Sequence, residues 1–360
     1  MSGAISGMGY PSMGLIVAGL TQTNQSLDTL TAQASSGLIS QTYAGLGATA
    51  SVALSLGPQI ASLQTAQNNI DAANGPAQLT QTAMTQIGSI ASNLLAEMPN
   101  LTSLDAGEVD TIAATAQSDL SQVAGLLDSQ YGDVYVFAGV DSSNPPVPDP
   151  NSITSSGFYA QISSAVANLS GAGYAATAAA TLAIAGSNSA GTSPFSTYMS
   201  QPVANLSLPS VATGDGQPQP LGLMASANTT AVSTGTSTTG SYMRDLMRAL
   251  ATIGSLNSSQ VNDPNFAPLI ADTQTSLTGA ISAMSTDVGT LGEQQSSLTA
   301  LQTTLSDTQT ALTGQLSSAQ DVDMTSTLTN LSLTETQLQA SYQLIATASG
   351  LSLAKFLPVS

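Results

Sequence analysis

Apolar residues recur along two separated stretches of the chain at the spacing of a helix seam. In the C-terminal third, Ile270, Leu277, Met284, Leu291, Leu298, Leu305 and Leu312 follow one another at intervals of seven, with mostly Ser, Thr, Gln, Ala and Gly between them. A stripe of that period belongs to a long helix packed lengthwise against a partner. The N-terminal third repeats it with Leu56, Leu63, Ile70, Ala77, Met84, Ala91 and Met98, supported by Ile60, Ile87, Leu94 and Leu101. Each stripe needs covering, so the two arms are expected to pack on each other and bring the ends of the chain together.

Helical spacing holds from Leu15 to Gln130, with breaks expected at Gly45 to Gly47 and near Pro58 and a turn around Pro99 to Gly107. The returning helix carries Val109, Ile112, Ala116, Leu120, Val123 and Leu127. Between Gly132 and Gly240 the periodicity lapses, and Pro145, Pro146, Pro148 and Pro150 forbid continuous helix there. The strand candidates in this insert are Gly157 to Ile162 and Tyr174 to Ile184, the Ala-rich second fitting a helix equally. Ala225 to Gly240 reads as a linker. From Ser241 to Phe356 the helical texture returns. The expected fold is mainly α: a long antiparallel helical bundle or coiled coil formed by the N- and C-terminal arms, with a smaller, β-rich inserted domain. The expected divisions are an assembly arm 1–45, a helical core 46–138, an outward-facing insert 139–240, the second part of the helical core 241–318 and a second assembly arm 319–360.

Charge changes the picture of the surface. The chain has 21 acidic residues against three cations, Arg244, Arg248 and Lys355, for a net charge of -18. Phosphate backbones and anionic lipids are repelled, so no nucleic-acid partner and no membrane partner is expected. Charged residues make up only 7% of the chain, so its exterior must consist of neutral Ser, Thr, Asn and Gln. Such a surface has little charge to lose in acid: fully protonated, the chain would carry about +4. We read this as adaptation to an acidic exterior. No stretch approaches about 18 uninterrupted apolar residues, which argues against a membrane span. The apolar run Met13 to Leu20 has no Lys or Arg before it, so the charged start of a secretory signal is missing and export is expected to use another route.

The chemistry left open is narrow. Without His or Cys there is no imidazole base, no thiol nucleophile, no disulfide and no thiolate or imidazole zinc site. Asp321 and Asp323 diverge on a helix and read as a helix start. Asp141, Asp149, Asp215 and Asp263 sit in turn-like contexts. Arg244 and Arg248 flank Asp245 at helical spacing and read as a structural ion pair. The chain is expected to be non-enzymatic, with no catalytic or metal residues and no cofactor.

The C-terminal end is unusually apolar, running from Leu328 through Leu331, Leu333, Leu338, Tyr342, Leu344, Ile345, Leu351, Leu353, Phe356 and Leu357. An end of that kind is exposed in a lone chain and covered in an assembly. The stretch Gln33-Ala34-Ser35-Ser36-Gly37-Leu38 resembles the Ser-Ser-Gly-Leu signature of bacterial flagellins, and residues 59–75 resemble the helix that follows it. Asp321-Val322-Asp323-Met324, Leu338-Gln339-Ala340-Ser341 and Leu351-Ser352-Leu353 with Phe356-Leu357 resemble the flagellin C-terminal arm in order and spacing. Gly132 to Gly139, followed by Pro145-Pro146, is similar to the branch of that family that joins hook to filament. The resemblance implies export through the flagellar type III channel and arms that order on assembly into a coaxial tube. It also implies contacts with lateral copies of itself, an adjoining hook-associated protein, flagellin and an export chaperone. On that reading the assembly contacts fall on Leu20, Leu27, Leu30 and Leu38 together with Leu331, Leu338, Tyr342, Ile345, Leu351, Leu353, Phe356 and Leu357, and the localisation is the extracellular flagellum at the hook-filament junction. The chain departs from the family at Ile39, where a basic residue is usual, and in lacking arginines around Asp287 to Gly292. Its interfaces are therefore expected to rely on apolar surface with weak salt dependence.

Overall fold

The computed structural model describes residues 10–102, 106–213, 218–235 and 237–351. In chain order the elements are α1 (Tyr10–Ser36), α2 (Ala50–Leu101), α3 (Ala106–Leu127), β1 (Gln130–Tyr131), β2 (Val134–Tyr135), α4 (Gly157–Ala167), α5 (Leu169–Ala172), α6 (Tyr174–Gly186), β3 (Ser210–Ala212), β4 (Pro218–Pro220), α7 (Tyr242–Gly254), α8 (Phe266–Gln320) and α9 (Met324–Leu351). The chain divides into two compact units, residues 1–64 with 307–360 and residues 65–306.

In the first unit α1 packs along α9, and the starts of α2 and the end of α8 lie side by side. Thr49 Oγ1 donates to Ala319 O at 2.9 Å, and Gln309 Nε2 donates to Gln64 Oε1 at 2.8 Å. In the second unit Gln302 Nε2 donates to Asp71 Oδ1 at 2.5 Å, and Met284 Cε lies against Gly88. Rising numbers on α2 meet falling numbers on α8, so the helices are antiparallel, the arrangement the two stripes demand. Both are long although their faces carry almost no ion pairs. Instead hydroxyls such as Thr82, Thr85, Ser89 and Thr299 donate to the carbonyl four residues back. That bond satisfies the side chain locally and leaves the helix surface neutral.

The break expected near Pro58 is corrected. α2 runs unbroken through Pro58 and also through Pro76, because the packed stripe outweighs the hydrogen bond each proline removes. By length and composition alone, Tyr43–Leu101 is apolar enough to cross a membrane, although its apolar residues are never uninterrupted. It is not one helix, however: Tyr43–Thr49 is a 3-10 turn, and the backbone leaves helical geometry at Gly47 (φ 59°).

The second unit holds most of the core. α3 buries Val109, Ala116, Leu120, Val123 and Leu127 and packs on α7, which is buried along its whole length. α7 starts at Ser241, whose hydroxyl accepts from Arg244 N. The insert contains sheet, the antiparallel pair β3–β4, and β1–β2 forms a second short ribbon before it. The stretches read as strand candidates are helices α4 and α6. Ser156 caps α4, accepting from Tyr159 N, and the Ala-rich sequence of α6 has no β-branched run to hold it extended.

The linker expectation for Ala225 to Gly240 also fails. Ala225, Ser226, Ala227 and Ser233 are buried, and residues 228–235 and 237–240 form a strap fastened by acids of α7 and α8. The fully buried Asp287 accepts from Thr229 N at 2.7 Å, Thr230 N at 2.9 Å, Thr230 Oγ1 at 2.6 Å and Ala231 N at 2.9 Å. Asp272 accepts from Ser237 Oγ, and Asp245 from Thr238 Oγ1, Thr239 N and Thr239 Oγ1. Gly279 lets the strap approach α8, since a Cβ there would collide with Thr234 O.

Candidate assembly surface

The turns that close the first unit are tied together by backbone. Gly37, at φ 74°, ends α1 in a conformation that glycine adopts without penalty. Beyond it, Leu38 pairs with Asp321 in an isolated antiparallel bridge; Ile39 N donates to Gln320 O at 2.6 Å, and Val322 N to Gly37 O at 2.9 Å. Gln33 Nε2 returns to Ile39 O at 3.0 Å. The Ser-Ser-Gly-Leu and Asp-Val-Asp-Met segments, far apart in sequence, are thus joined in space. Asp323 then caps α9, accepting from Thr325 N, Ser326 N and Ser326 Oγ. The Ser326 hydroxyl, with those amides, holds the Asp323 carboxyl below the usual range. This fits its reading as a helix start.

From the bridge the two arm helices run back along each other, with Gln22 to Leu30 beside Asn330 to Thr334. On α9 the covered residues are Thr327, Leu331, Thr334, Leu338, Ser341 and Ile345, alternating by four and three, which is a heptad seam. On α1 the half-buried stripe is Leu20, Thr23, Asn24, Leu27, Leu30, Gln33 and Ala34. Of the residues expected to make assembly contacts, Leu20, Leu27, Leu30, Leu331, Leu338 and Ile345 are therefore half-covered within one chain, as is Leu38 at the bridge. Tyr342 is exposed. Leu351 ends α9 without a described side chain, and Leu353, Phe356 and Leu357 lie outside the described residues.

The sequence reading grouped the apolar residues of both ends without separating the ones that face away. Leu15 is 74% exposed and Leu344 65%, and Val17, Met324, Leu328 and Leu333 are exposed with them. Leu328 and Tyr342 lie on one flank of the α9 seam, and Leu333 and Leu344 on the other. Splitting the α9 apolar residues by heptad position would have separated these four from the seam, whereas Met324 falls at a seam position, one heptad before Leu331, and is exposed at the start of the helix.

Two family models match the chain: the bacterial flagellin N-terminal helical region over residues 16–142, and the bacterial flagellin C-terminal helical region over residues 275–357. The chain belongs to the flagellin superfamily. A search of curated proteins finds no match. Members of this family are structural, non-enzymatic proteins that self-assemble into flagellar polymers, so the chain is a structural subunit of the bacterial flagellum, an extracellular organelle.

In this flagellin-family chain the residues expected to form the intramolecular seam are covered. Leu56, Ile70, Met84, Ile270, Leu277, Met284, Leu291, Leu298 and Leu305 are buried, and Leu63 and Leu312 are half-buried. The matched regions end where the insert begins and resume along α8. At the first boundary Gly132 turns the β1–β2 ribbon, Phe137 is fully buried and accepts through its carbonyl from Ala225 N, and Ser196 N donates to Pro146 O. There Asp128, at the end of α3, accepts from Val147 N at 2.9 Å. Burial pushes its carboxyl up to about 6, with the Val147 bond opposing the shift.

The arginine pair departs from its reading. Asp245 spends its carboxylate on the strap, and Arg244 bonds only to neutral oxygens: Nε to Ser226 O, Nη1 to Ala185 O and Ser187 O, and Nη2 to Asn188 Oδ1. Arg248 Nη2 donates to Ser237 O, with the charges of Asp245 and Asp272 nearby. Among the described residues no group of three or more carboxylates is placed to hold a metal ion.

Proposed function

We propose that this subunit joins the flagellar hook to the filament. The observation that carries the reading is the arm pair of α1 and α9. Its inner seam is satisfied within the chain, while apolar residues on two flanks remain for neighbours. Two different flanks suit heterologous, head-to-tail contacts that continue around a tube. The apolar area offers the drive: 1,000 Å² buried per subunit would contribute on the order of 25 kcal/mol before the entropy of association is deducted. The junction position within the flagellum rests on the likeness of Gly132 to Gly139 with Pro145-Pro146 to the junction branch of the family. On this reading the chain leaves the cell through the type III route with an export chaperone, contacts lateral copies of itself, and meets a hook-associated protein on one side and flagellin on the other.

The second reading, a flagellin building the filament itself, draws on the same two matched regions, which junction proteins and filament proteins share. Electron microscopy of a deletion strain beside its complemented parent separates them. Hooks without filaments, with intact filament protein in the medium, uphold the junction role. Hooks that still carry filaments overturn it in favour of a minor flagellin, and unchanged flagella would overturn both and return a surface adhesin.

A further inference from the structure

Arg244 is a cation in an unusual position. Its side chain is 8% exposed, its guanidinium lies 5.2 Å from the centroid of the Phe195 ring, and burial alone lowers its tendency to hold a proton. All four of its hydrogen bonds go to neutral acceptors. A guanidinium has five N–H donors, so one on Nη2 is left over. Taking a charge out of water without a counter-charge is costly, and neutral dipoles offset it only in part.

The guanidinium also lines a cleft of about 380 Å³, bounded by Asn188, Ser226, Asn228, Thr229 and Gly240. The cleft opens at the N-terminal turn of α7, where Ser241 is the cap and Arg244 the third helical residue; the amides there are already taken, Tyr242 N by Asn228 Oδ1 and Arg244 N by Ser241 Oγ, so the Arg244 side chain is the donor that the turn has to offer. The Thr229 hydroxyl, at the wall of this cleft, is buried and has no hydrogen-bond partner. Its neighbours leave it so: the Thr229 amide is committed to Asp287, and Asn228 Nδ2 to Ala231 O and Gly240 O. A buried cation lacking an anion, with a spare N–H, and an idle hydroxyl border one cavity.

We propose that this cleft binds a small oxyanion, a carboxylate or phosphate, with Arg244 as its charged anchor and Thr229 as a hydroxyl donor. Charge-assisted bonds to such a group are about twice as strong as neutral ones. They would also link α7 to the strap, since Arg244 and Thr229 stand on the two sides. The net charge of -18 opposes the approach of an anion until salt screens it, so binding is weak at low ionic strength and strengthens as an inert electrolyte is added.

The test uses the full chain held monomeric at low concentration. Sodium acetate is titrated in one arm and inorganic phosphate in the other, at matched ionic strength, while the backbone amide resonances of residues 226–232 and 240–244 are followed. Saturable shifts confined to these residues, in either arm, are expected; acetate alone identifies a carboxylate site and phosphate alone a phosphate site. Arg244→Gln should weaken the affinity at least tenfold, and so should Ala231→Leu, which narrows the cleft while leaving Arg244 in place. If Arg244→Gln fails to fold, the Ala231→Leu comparison decides. Shifts that never saturate, or an affinity unchanged in the variants, would overturn the proposal.

Discussion

The two units spend the same kinds of side chain in opposite ways. In the arm unit, the buried apolar residues among those described are Leu46, Ala53, Leu56 and Ala319, while Leu15, Val17, Tyr43, Val52, Leu54, Met324, Leu328, Leu333, Tyr342 and Leu344 stand exposed. In the unit of residues 65–306, α7 is submerged throughout, and Phe137, Phe158, Phe266, Ile70 and Met98 are fully covered. One unit is stable through what it buries in itself; the other leaves apolar surface exposed, which on the proposed reading is covered by copies of the chain. Fold and function are thereby separated along the chain, and substitutions should separate them too.

The largest effect belongs to the insert-bearing unit. Phe137→Ala empties a closed site and should cost about 3–5 kcal/mol in urea unfolding; a loss below 1 kcal/mol would mean that this unit is packed no better than the arms. Asp287→Ala strands the amides of Thr229, Thr230 and Ala231, and should cost about 3 kcal/mol, with hydrogen exchange accelerated over the strap. Asp323→Ala removes only the cap of α9. Faster exchange at residues 324–327 is expected, with the unit of residues 65–306 unaffected.

The sharpest contrast is Leu344→Ser combined with Leu333→Ser. Monomer stability should stay within about 0.5 kcal/mol, while polymer growth followed by light scattering is lost. Growth at the parental rate would show that these flanks are not the contacts.

The smallest effect concerns acid. The Asp128 carboxyl is raised to about 6, so the folded state binds its proton more readily than the unfolded chain does. Its contribution to stability rises as pH falls from about 6 toward the ordinary value of 3.8. Asp263 and Asp323 are lowered, and theirs is present above 3.8 and fades below it. A shallow stability maximum on the acid side is expected from melting curves across this range, and Asp128→Asn should flatten its alkaline flank.

What could be read in advance followed from periodicity. The seam of Ile270 to Leu312 and the return helix of Val109 to Leu127 were legible because their spacing is fixed by helix geometry, whatever they pack against. Pro58 misled because a local penalty was weighed without the stripe that overrides it. The strap misled for the opposite reason: Thr229 to Gly240 looks like a linker until Asp272 and Asp287 of α8 are brought to it beside the nearby Asp245, and nothing in its own sequence announces those two. Arg244 and Asp245, neighbours in sequence, take separate partners because one faces the Phe195 side and the other the strap. In the arms the apolar residues were legible as a group, and the heptad positions along α9 already held their division into an inner seam and outer flanks; what the structure adds is that α1 covers the seam.

The burial of Arg244 and Arg248, at 8% and 2% exposure, bears on how the chain meets proteolytic enzymes. With Lys355 beyond the described residues, a trypsin-like protease finds no accessible cleavage bond anywhere in the described fold. Cutting after position 244 or 248 has to wait for the unit of residues 65–306 to open, so the rate of that cut is a clock for its unfolding, and in a protease-rich medium that unit is shielded by the placement of its two arginines as much as by its stability.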